Sequence, residues 1–379
     1  MLFMEKNIKI VEYFKDVETT EEYNGYFCSV EGALTIVILG SFCGLRNVNQ
    51  IHQWACNKRV CEFLSEHFGI EKIPCYYWLT CLLKIIKPKS FNKCFINWVK
   101  SLIPADKAKN LTISLDGKTV CSTAKMEKYD NPLHIVSAQI AQFGITLGQQ
   151  AVDGKSNEIP AVRDLLELLD ISGCMVVSDA MHCQKETAKT IIAKKADYLL
   201  SVKDNQPNLK ADIEYYVQDL SLRKGMNKSV KTEKNRERIE KRTAFVTNDI
   251  DWIEAKSEWK NIACIGAINT VFETKNGKSN EWHYFISSRD LTAKELLEHA
   301  RMEWSVETMH WLLDVHFGED SCRVQDPNVQ ENLNMVRKIA LNSIKIYKEK
   351  NGIKRPISKI MFDCLLECEE ILSVMGWEN

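Results

Sequence analysis

The chain has 379 residues, 45% hydrophobic and 27% charged, with a formal net charge of −1. That length supplies two or three structural units, and the composition excludes wholesale disorder. The balanced charge excludes a uniformly basic coat, so any polyanion has to be met by local fields.

Two such fields exist. Arg223 to Arg242 holds nine Lys or Arg against three Glu, and Lys84 to Lys109 holds seven Lys against one Asp. Each leaves a local +6 that fits either phosphate tracking or an ordinary solvated face. Fourteen cysteines are scattered without a CxxC pair, the nearest two being Cys364 and Cys368. They are expected to be reduced thiols of a cytoplasmic protein. The longest nearly unbroken apolar run, Ala33 to Leu45, is too short to span a bilayer, and the first residues lack a secretory pattern.

In chain order, apolar residues first recur at helical spacing through Gly32–Cys43, Val48–Asn57, Val60–Phe68, Tyr76–Ile86 and Phe91–Leu102. Pro74, Pro88 and Pro104 punctuate them, which predicts a helical domain over 1–105. The pattern then changes. Leu111–Leu115 alternates as a strand that stops at Asp116-Gly117-Lys118, and His134–Gln142 and Ile145–Val152 form a hairpin around Phe143-Gly144. Ser156-Asn157 caps a helix reaching about Asp170, with Pro160 in its first turn. Cys174–Ser178 is a short buried strand that stops at Asp179. A helix over Gln184–Lys195 and a strand over Tyr198–Val202 complete the order of a ribonuclease-H-like α/β core, a mixed sheet within 106–348.

After a helix over Leu209–Leu222, strands at Arg238–Thr247, Ile262–Glu273 and Trp282–Ser287 form a β-rich insertion at about 223–290. Thr292 to Lys348 is helical again, and 349–379 is a helical tail.

Two aspartates thus end two strands that lie side by side in such a core. Carboxylates leaving a packed sheet at fixed positions suit Mg²⁺, a hard cation that takes oxygen ligands, and a third carboxylate from a helix would complete the set. Two metals so held can activate a water or a 3′-hydroxyl against a phosphodiester. Taken singly, Asp116 also reads as a turn former, Asp179 as a helix cap and Glu307 as a surface glutamate.

The flanking residues narrow this. Leu115-Asp-Gly-Lys118, Leu133-His-Ile-Val-Ser-Ala138, Lys155-Ser-Asn-Glu-Ile-Pro160, Ser178-Asp-Ala-Met-His-Cys-Gln184 and Lys203-Asp-Asn-Gln-Pro207 follow one another in order. Trp304-Ser-Val-Glu-Thr-Met-His-Trp311, Leu313-Asp-Val315, Phe317, Glu319-Asp320, Arg323, Asn332-Leu333 and Arg337-Lys-Ile-Ala-Leu341 continue them. Together they resemble the H-repeat-associated branch of insertion-sequence DDE transposases. The resemblance is weak through the helical part and strong from Leu111 to about Lys345.

The resemblance implies that Asp116, Asp179 and Glu307 are the catalytic acids and metal ligands, with Mg²⁺ as cofactor and Mn²⁺ as substitute. It implies cleavage and strand transfer on double-stranded DNA, at terminal inverted repeats and target, by a homodimer on DNA in the bacterial cytoplasm and nucleoid. Lys118, Lys203, Asn205 and Gln206 are expected near phosphates. Lys228, Lys231, Lys234, Arg236 and Arg238 are expected to contribute from the basic segment.

The chain departs from the branch at Glu303, where His is usual, at Arg236-Glu237, and at Pro74-Cys-Tyr-Tyr-Trp-Leu79. It shares Asp314 with the branch, where the wider superfamily has Lys. Those departures keep two other readings open, a catalytically idle DNA-binding descendant and a generic ribonuclease-H-like nuclease. His134 and His182 read equally as site neighbours and as buried or capping residues. Trp304, His310 and Trp311, like Tyr76, Tyr77 and Trp78, are expected to pack in the core rather than stack on bases.

Overall fold

The computed structural model describes residues 10–22, 28–104, 107–125, 132–152, 157–235, 238–275 and 277–376. Five helices open it: α1 (Val30–Phe42), α2 (Val48–Ala55), α3 (Lys58–Phe68), α4 (Tyr76–Ile85) and α5 (Pro88–Leu102). Ser29, Asn47 and Asn57 cap the first three through their side chains, and Gly69 at φ 64° ends α3. The apolar run predicted to be too short for a membrane is α1, buried from Gly32 through Phe42 at the centre of the helical layer. Among the described residues no helix is long and apolar enough to cross a membrane.

The helical layer shares its core with the end of the chain. Helices α1, α4 and α5 pack on α12 (Pro327–Lys350), whose Asn332 side chain donates to the carbonyls of Leu83 and Ile86 at 2.9 and 3.0 Å. These carbonyls end α4, so one buried amide satisfies two of its orphan acceptors.

The sheet begins with β1 (Thr112–Thr119), β2 (His134–Ile140) and β3 (Ile145–Ala151), an antiparallel meander whose second turn uses Gly144 at φ 65°. Helix α6 (Glu158–Leu168) leads to β4 (Met175–Ser178), and α7 (Lys185–Ala193) to β5 (Asp197–Val202). Strands β1, β4 and β5 are parallel. The order β3-β2-β1-β4-β5 is the ribonuclease-H-like mixed sheet that the order of elements predicted.

Two short helices, α8 (Pro207–Gln218) and α9 (Leu220–Lys224), precede β6 (Asn227–Asn235), β7 (Arg238–Thr247), β8 (Cys264–Thr274) and β9 (Gly277–Ser287). Because β9 pairs antiparallel with β5, the insertion continues the core sheet, giving nine strands in the order β3-β2-β1-β4-β5-β9-β8-β7-β6. Strand β6 was not anticipated. Its only large apolar residue is Val230, so no alternation marks it, and its lysines protect an exposed sheet edge from wrong pairing.

Helices α10 (Ala293–Glu303) and α11 (Ser305–Phe317) meet at Trp304, and α13 (Ile357–Leu366) and α14 (Cys368–Met375) follow α12. A capping box between Thr292 and Glu295 starts α10. Alternate residues of β1 meet the α10–α11 layer: Thr112 Oγ1 lies 3.0 Å from His299 Nδ1, and Ser114 Oγ lies 3.1 Å from Ser305 Oγ. Asp116 and Lys118 continue that row against His310 and Asp314. The period of two sends Gly117 to the other face, toward α6.

Candidate active site beside the parallel strands

Asp116 does not end its strand. β1 runs on to Thr119 because β2 keeps pairing with it, Asp116 opposite Ser137, and the Asp116-Gly117 step is extended rather than a turn. What ends there is β4. The last β1–β4 pair is Leu115 with Ser178, so Asp116 and Asp179 are the next residues on neighbouring strands, whose spacing is about 4.8 Å. Asp179 keeps extended backbone (φ −66°, ψ 176°), and its Oδ1 accepts from the His182 amide at 3.4 Å, capping a 3-10 turn over Ala180–His182. The side chains of Asp116 and Asp179 are 34% and 46% exposed.

Glu307 stands exposed in the first turn of α11. The same helix reaches Asp116 through His310, whose Nε2 is 3.4 Å from Oδ2 without hydrogen-bond alignment. Glu303, at the end of α10, also faces the pair. Burial, then the charge of Asp179, then that of Asp116, push its carboxyl up to about 7 against the opposing effects of Ser201 and Lys203. Ser201 Oγ donates to it at 3.3 Å.

Of the residues expected at phosphates, Lys203 is exposed beside Glu303. Lys118 is engaged elsewhere: its Nζ lies 2.6 Å from Asp314, 2.6 Å from Glu319 and 3.5 Å from Asp320. Burial by itself would lower its pKa, but Glu319 and Asp314 overcome this and hold it above the ordinary value. Asp314, Glu319 and Asp320 form the one tight acidic group among the described residues with ligand spacing, and the Lys118 ammonium sits in it. Asn205 and Gln206 turn inward. Asn205 Nδ2 donates to the Ala180 carbonyl at 2.6 Å and Gln206 Nε2 to the Cys183 carbonyl at 2.9 Å, which braces the turn after Asp179.

In the basic segment, Lys228 lies over Phe245, Lys231 pairs with Glu233 at 3.2 Å, and Arg238 lies 3.9 Å from the centre of the Phe272 ring. Arg236 and Glu237 lie outside the described residues, as do Lys155 and Ser156. Lys234 is exposed on β6. It lines a cleft of about 750 Å³ with Glu233, Glu240, Arg242, Arg301 and Trp304, in which Glu233 pairs with both arginines and Glu240 with Arg242. A second cavity shares Arg242, Arg301 and Trp304 with it and adds Lys203 and Glu303. The two make a groove that begins at Glu303 and mixes cations with carboxylates. Arg242 closes the basic segment read from the sequence, whereas Arg301 had no signal there, since only the packing of β6 and β7 on α10 brings the two together.

The expected core packing of the aromatics is overturned. Trp304 and Trp311 are 50% and 58% exposed, because α11 buries Val306, Met309, Leu313 and Phe317 and leaves the tryptophans off that stripe. Tyr76, Tyr77 and Trp78 are 47%, 69% and 46% exposed for the same reason, α4 burying Leu79, Leu82 and Leu83. The expectation holds for His310, whose side chain is 12% exposed.

Comparison with known proteins gives a family profile described as "Transposase DDE domain" over residues 109–343 and one described as "DDE_Tnp_1-associated" over residues 11–99. The chain is 36% identical to "Putative transposase YncI" of Escherichia coli O157:H7 over 316 residues, covering 81% of this chain and 80% of that one. It is 32% identical to "H repeat-associated putative transposase YhhI" of Escherichia coli strain K12, over 80% of this chain and 82% of that one. Among solved structures, a piggyBac transposase synaptic complex with hairpin DNA is similar at a TM-score of 0.49 and 11% identity, over 98% of this chain and 78% of that chain.

Proposed function

Because this chain belongs to the transposase DDE domain family, we propose that it cuts DNA at the terminal inverted repeats of an insertion sequence and joins the freed ends to target DNA. It does so as a homodimer on DNA in the bacterial cytoplasm and nucleoid. The observation that supports this most is the adjacency of Asp116 and Asp179 one step past the last β1–β4 pair, with α11 carrying Glu307 packed over the same face.

The donor set fits a divalent cation. Asp116, Asp179 and Glu307 are hard oxygen donors, and none of the three is consumed by a Lys or Arg ion pair among the described residues. They would hold Mg²⁺, with Mn²⁺ as substitute, which when bound lowers the pKa of a coordinated water and offsets charge on the phosphodiester. The rest falls to side chains. Lys203 and Lys234 hold the duplex backbone along the groove as point charges. His310 keeps the Asp116 carboxylate turned toward α11. Water attacks phosphorus at the repeat end and leaves a 3′-hydroxyl, which attacks a target phosphodiester in turn, each step exchanging one P–O bond for another.

A second reading, an idle DNA-binding descendant, rests on the departures from the branch pattern, Glu303 among them. Cleavage of a labelled duplex bearing the repeats that flank the coding sequence separates the two. Wild type and Asp179→Ala are compared in Mg²⁺, Mn²⁺ and EDTA. Metal-dependent nicking at the repeat end that vanishes in the variant supports the enzyme. Repeat-specific binding without nicking in either metal establishes the idle protein, and cleavage indifferent to the repeats a generic nuclease.

A further inference from the structure

On the face of the sheet opposite α11, three residues distant in sequence close on one another beneath the two aspartates. Glu158 is the first residue of α6, held there by the Asn157 cap. Its Oε2 accepts from His134 Nε2 at 2.8 Å and its Oε1 from His182 Nε2 at 2.7 Å. His134 opens β2 and its Nδ1 lies 2.9 Å from Thr119 Oγ1, at the end of β1. His182 closes the 3-10 turn that Asp179 caps, and its side chain is 1% exposed. Among the described residues its buried Nδ1 has no partner, and the ring is held through Nε2.

Space for the group is made by β1. A Cβ at Gly117 would stand 2.4 Å from the Glu158 carboxyl group and 2.4 Å from His134 Nε2, so a side chain next to Asp116 would expel the group. The turn is braced from its other side by Asn205 and Gln206, which donate to the carbonyls of Ala180 and Cys183. The charge of Glu158 is secured. Burial alone would raise its pKa, but the bonds to His134 and His182 outweigh it and bring it down to about 2.

These residues come from stretches containing Asp116-Gly117, Leu133-His134, Asn157-Glu158, Asp179–His182 and Asn205-Gln206, motifs that the reaction itself leaves unexplained. We propose that Glu158, joined to His134 and His182, is a positioning unit that fixes the Asp179 turn against the back of β1 and so sets the spacing of Asp116 and Asp179 as metal ligands. The unit acts through the Asp179 turn and is not itself a ligand. It rests on the reading of the two aspartates as ligands given above, and acts as outer partners do at metal sites, by orienting donors before the ion arrives.

Mn²⁺ binding to the full chain, followed by the loss of the free-ion signal in electron paramagnetic resonance, tests this apart from activity. Wild type, Asp179→Ala, Glu158→Gln, His134→Ala and His134→Gln are compared, with circular dichroism and the melting temperature as checks of folding. Glu158→Gln is expected to raise the Mn²⁺ Kd at least about 10-fold, the range for lost outer partners. His134→Ala is expected to weaken binding, and His134→Gln, whose amide can still donate to Glu158, to restore most of it. A folded Glu158→Gln with wild-type Kd overturns the positioning role while leaving the ligands in place. Should Glu158→Gln fail to fold, the two His134 variants decide: equal, wild-type affinities overturn the role, and loss with rescue supports it. Wild type and Asp179→Ala binding Mn²⁺ alike overturns the ligand assignment itself, and this proposal with it.

Discussion

His310 Nε2 lies 3.4 Å from Asp116 Oδ2, linking α11 to the middle of β1 at the step where β4 ends. Since residues three apart share a helix face, this contact turns the Glu307 side of α11 toward the strand that bears Asp116. Substituting Glu307 by Gln is therefore expected to reduce cleavage by at least about 100-fold with DNA affinity in EDTA unchanged, as loss of a direct electrostatic contribution does. His310→Ala should cost less, of order 10-fold, because it misplaces one ligand without deleting it. Single-turnover nicking assays rank the two, and equal losses would contradict the division of roles.

Glu303 faces Asp116 from β1, Asp179 after β4, and Ser201 and Lys203 from β5 and its end. With its carboxyl at about 7, it is mostly neutral at pH 6 and mostly ionised at pH 8. Gln mimics the neutral form. Glu303→Gln should thus match wild type in half-saturating Mg²⁺ at pH 6, and require about threefold more Mg²⁺ at pH 8, where wild type gains a charge that attracts the ion. Mg²⁺ titrations of nicking at the two pH values measure this, and a difference that does not change with pH would remove the carboxyl from the site's electrostatics.

Lys118 occupies a pocket of carboxylates in which Glu319 is 1% exposed. Its loss strands a buried charge, so Lys118→Met is expected to destabilise the fold by about 3–5 kcal/mol, read from denaturant midpoints. Its ammonium is already engaged, so the salt dependence of DNA binding should be unchanged. Lys203→Ala and Lys234→Ala should behave in the opposite way, each reducing the slope of log K against log salt by about 1 at unchanged stability.

Lys338 is fully buried between Ser137 Oγ (2.7 Å) and Gln149 Oε1 (2.8 Å), and burial lowers its pKa to about 7. Between about 7 and the ordinary value of 10.5 the unfolded chain holds a proton that the folded chain lacks. Stability contributed by this residue therefore rises with pH across that window, by at most about 1.4 kcal/mol per unit. Lys338→Met should flatten the rise, leaving the smaller one from Lys345, which burial lowers to about 8. Denaturant midpoints at pH 7, 8 and 9 read both.

Gly117→Ala places a methyl group 2.4 Å from the Glu158 carboxyl group and His134 Nε2. Pairing with β2, Gly117 opposite Val136, holds the strand in place, so a loss of about 1–3 kcal/mol in stability is expected by calorimetry.

The order of elements was legible from the residues because it depends on local periodicity. The five N-terminal helices, the β2–β3 hairpin at Gly144 and the short apolar strand before Asp179 were all predicted within a few residues, while the end expected for β1 at Asp116 came too early, because pairing with β2 carries the strand on to Thr119. The motifs sufficed for the family. What stayed hidden depends on contacts between segments far apart. No local pattern marks β6, whose partner is β7 and whose residues are polar on both faces. Spacing could not show that Lys118 answers Asp314 across the fold, that Glu303 turns toward Asp116 and Asp179, or that Glu158 ties His134 to His182. Each of those pairings joins residues whose separation along the chain says nothing about distance, and only the register of β1 against β2 and β4, with helices packed on both faces, brings them together.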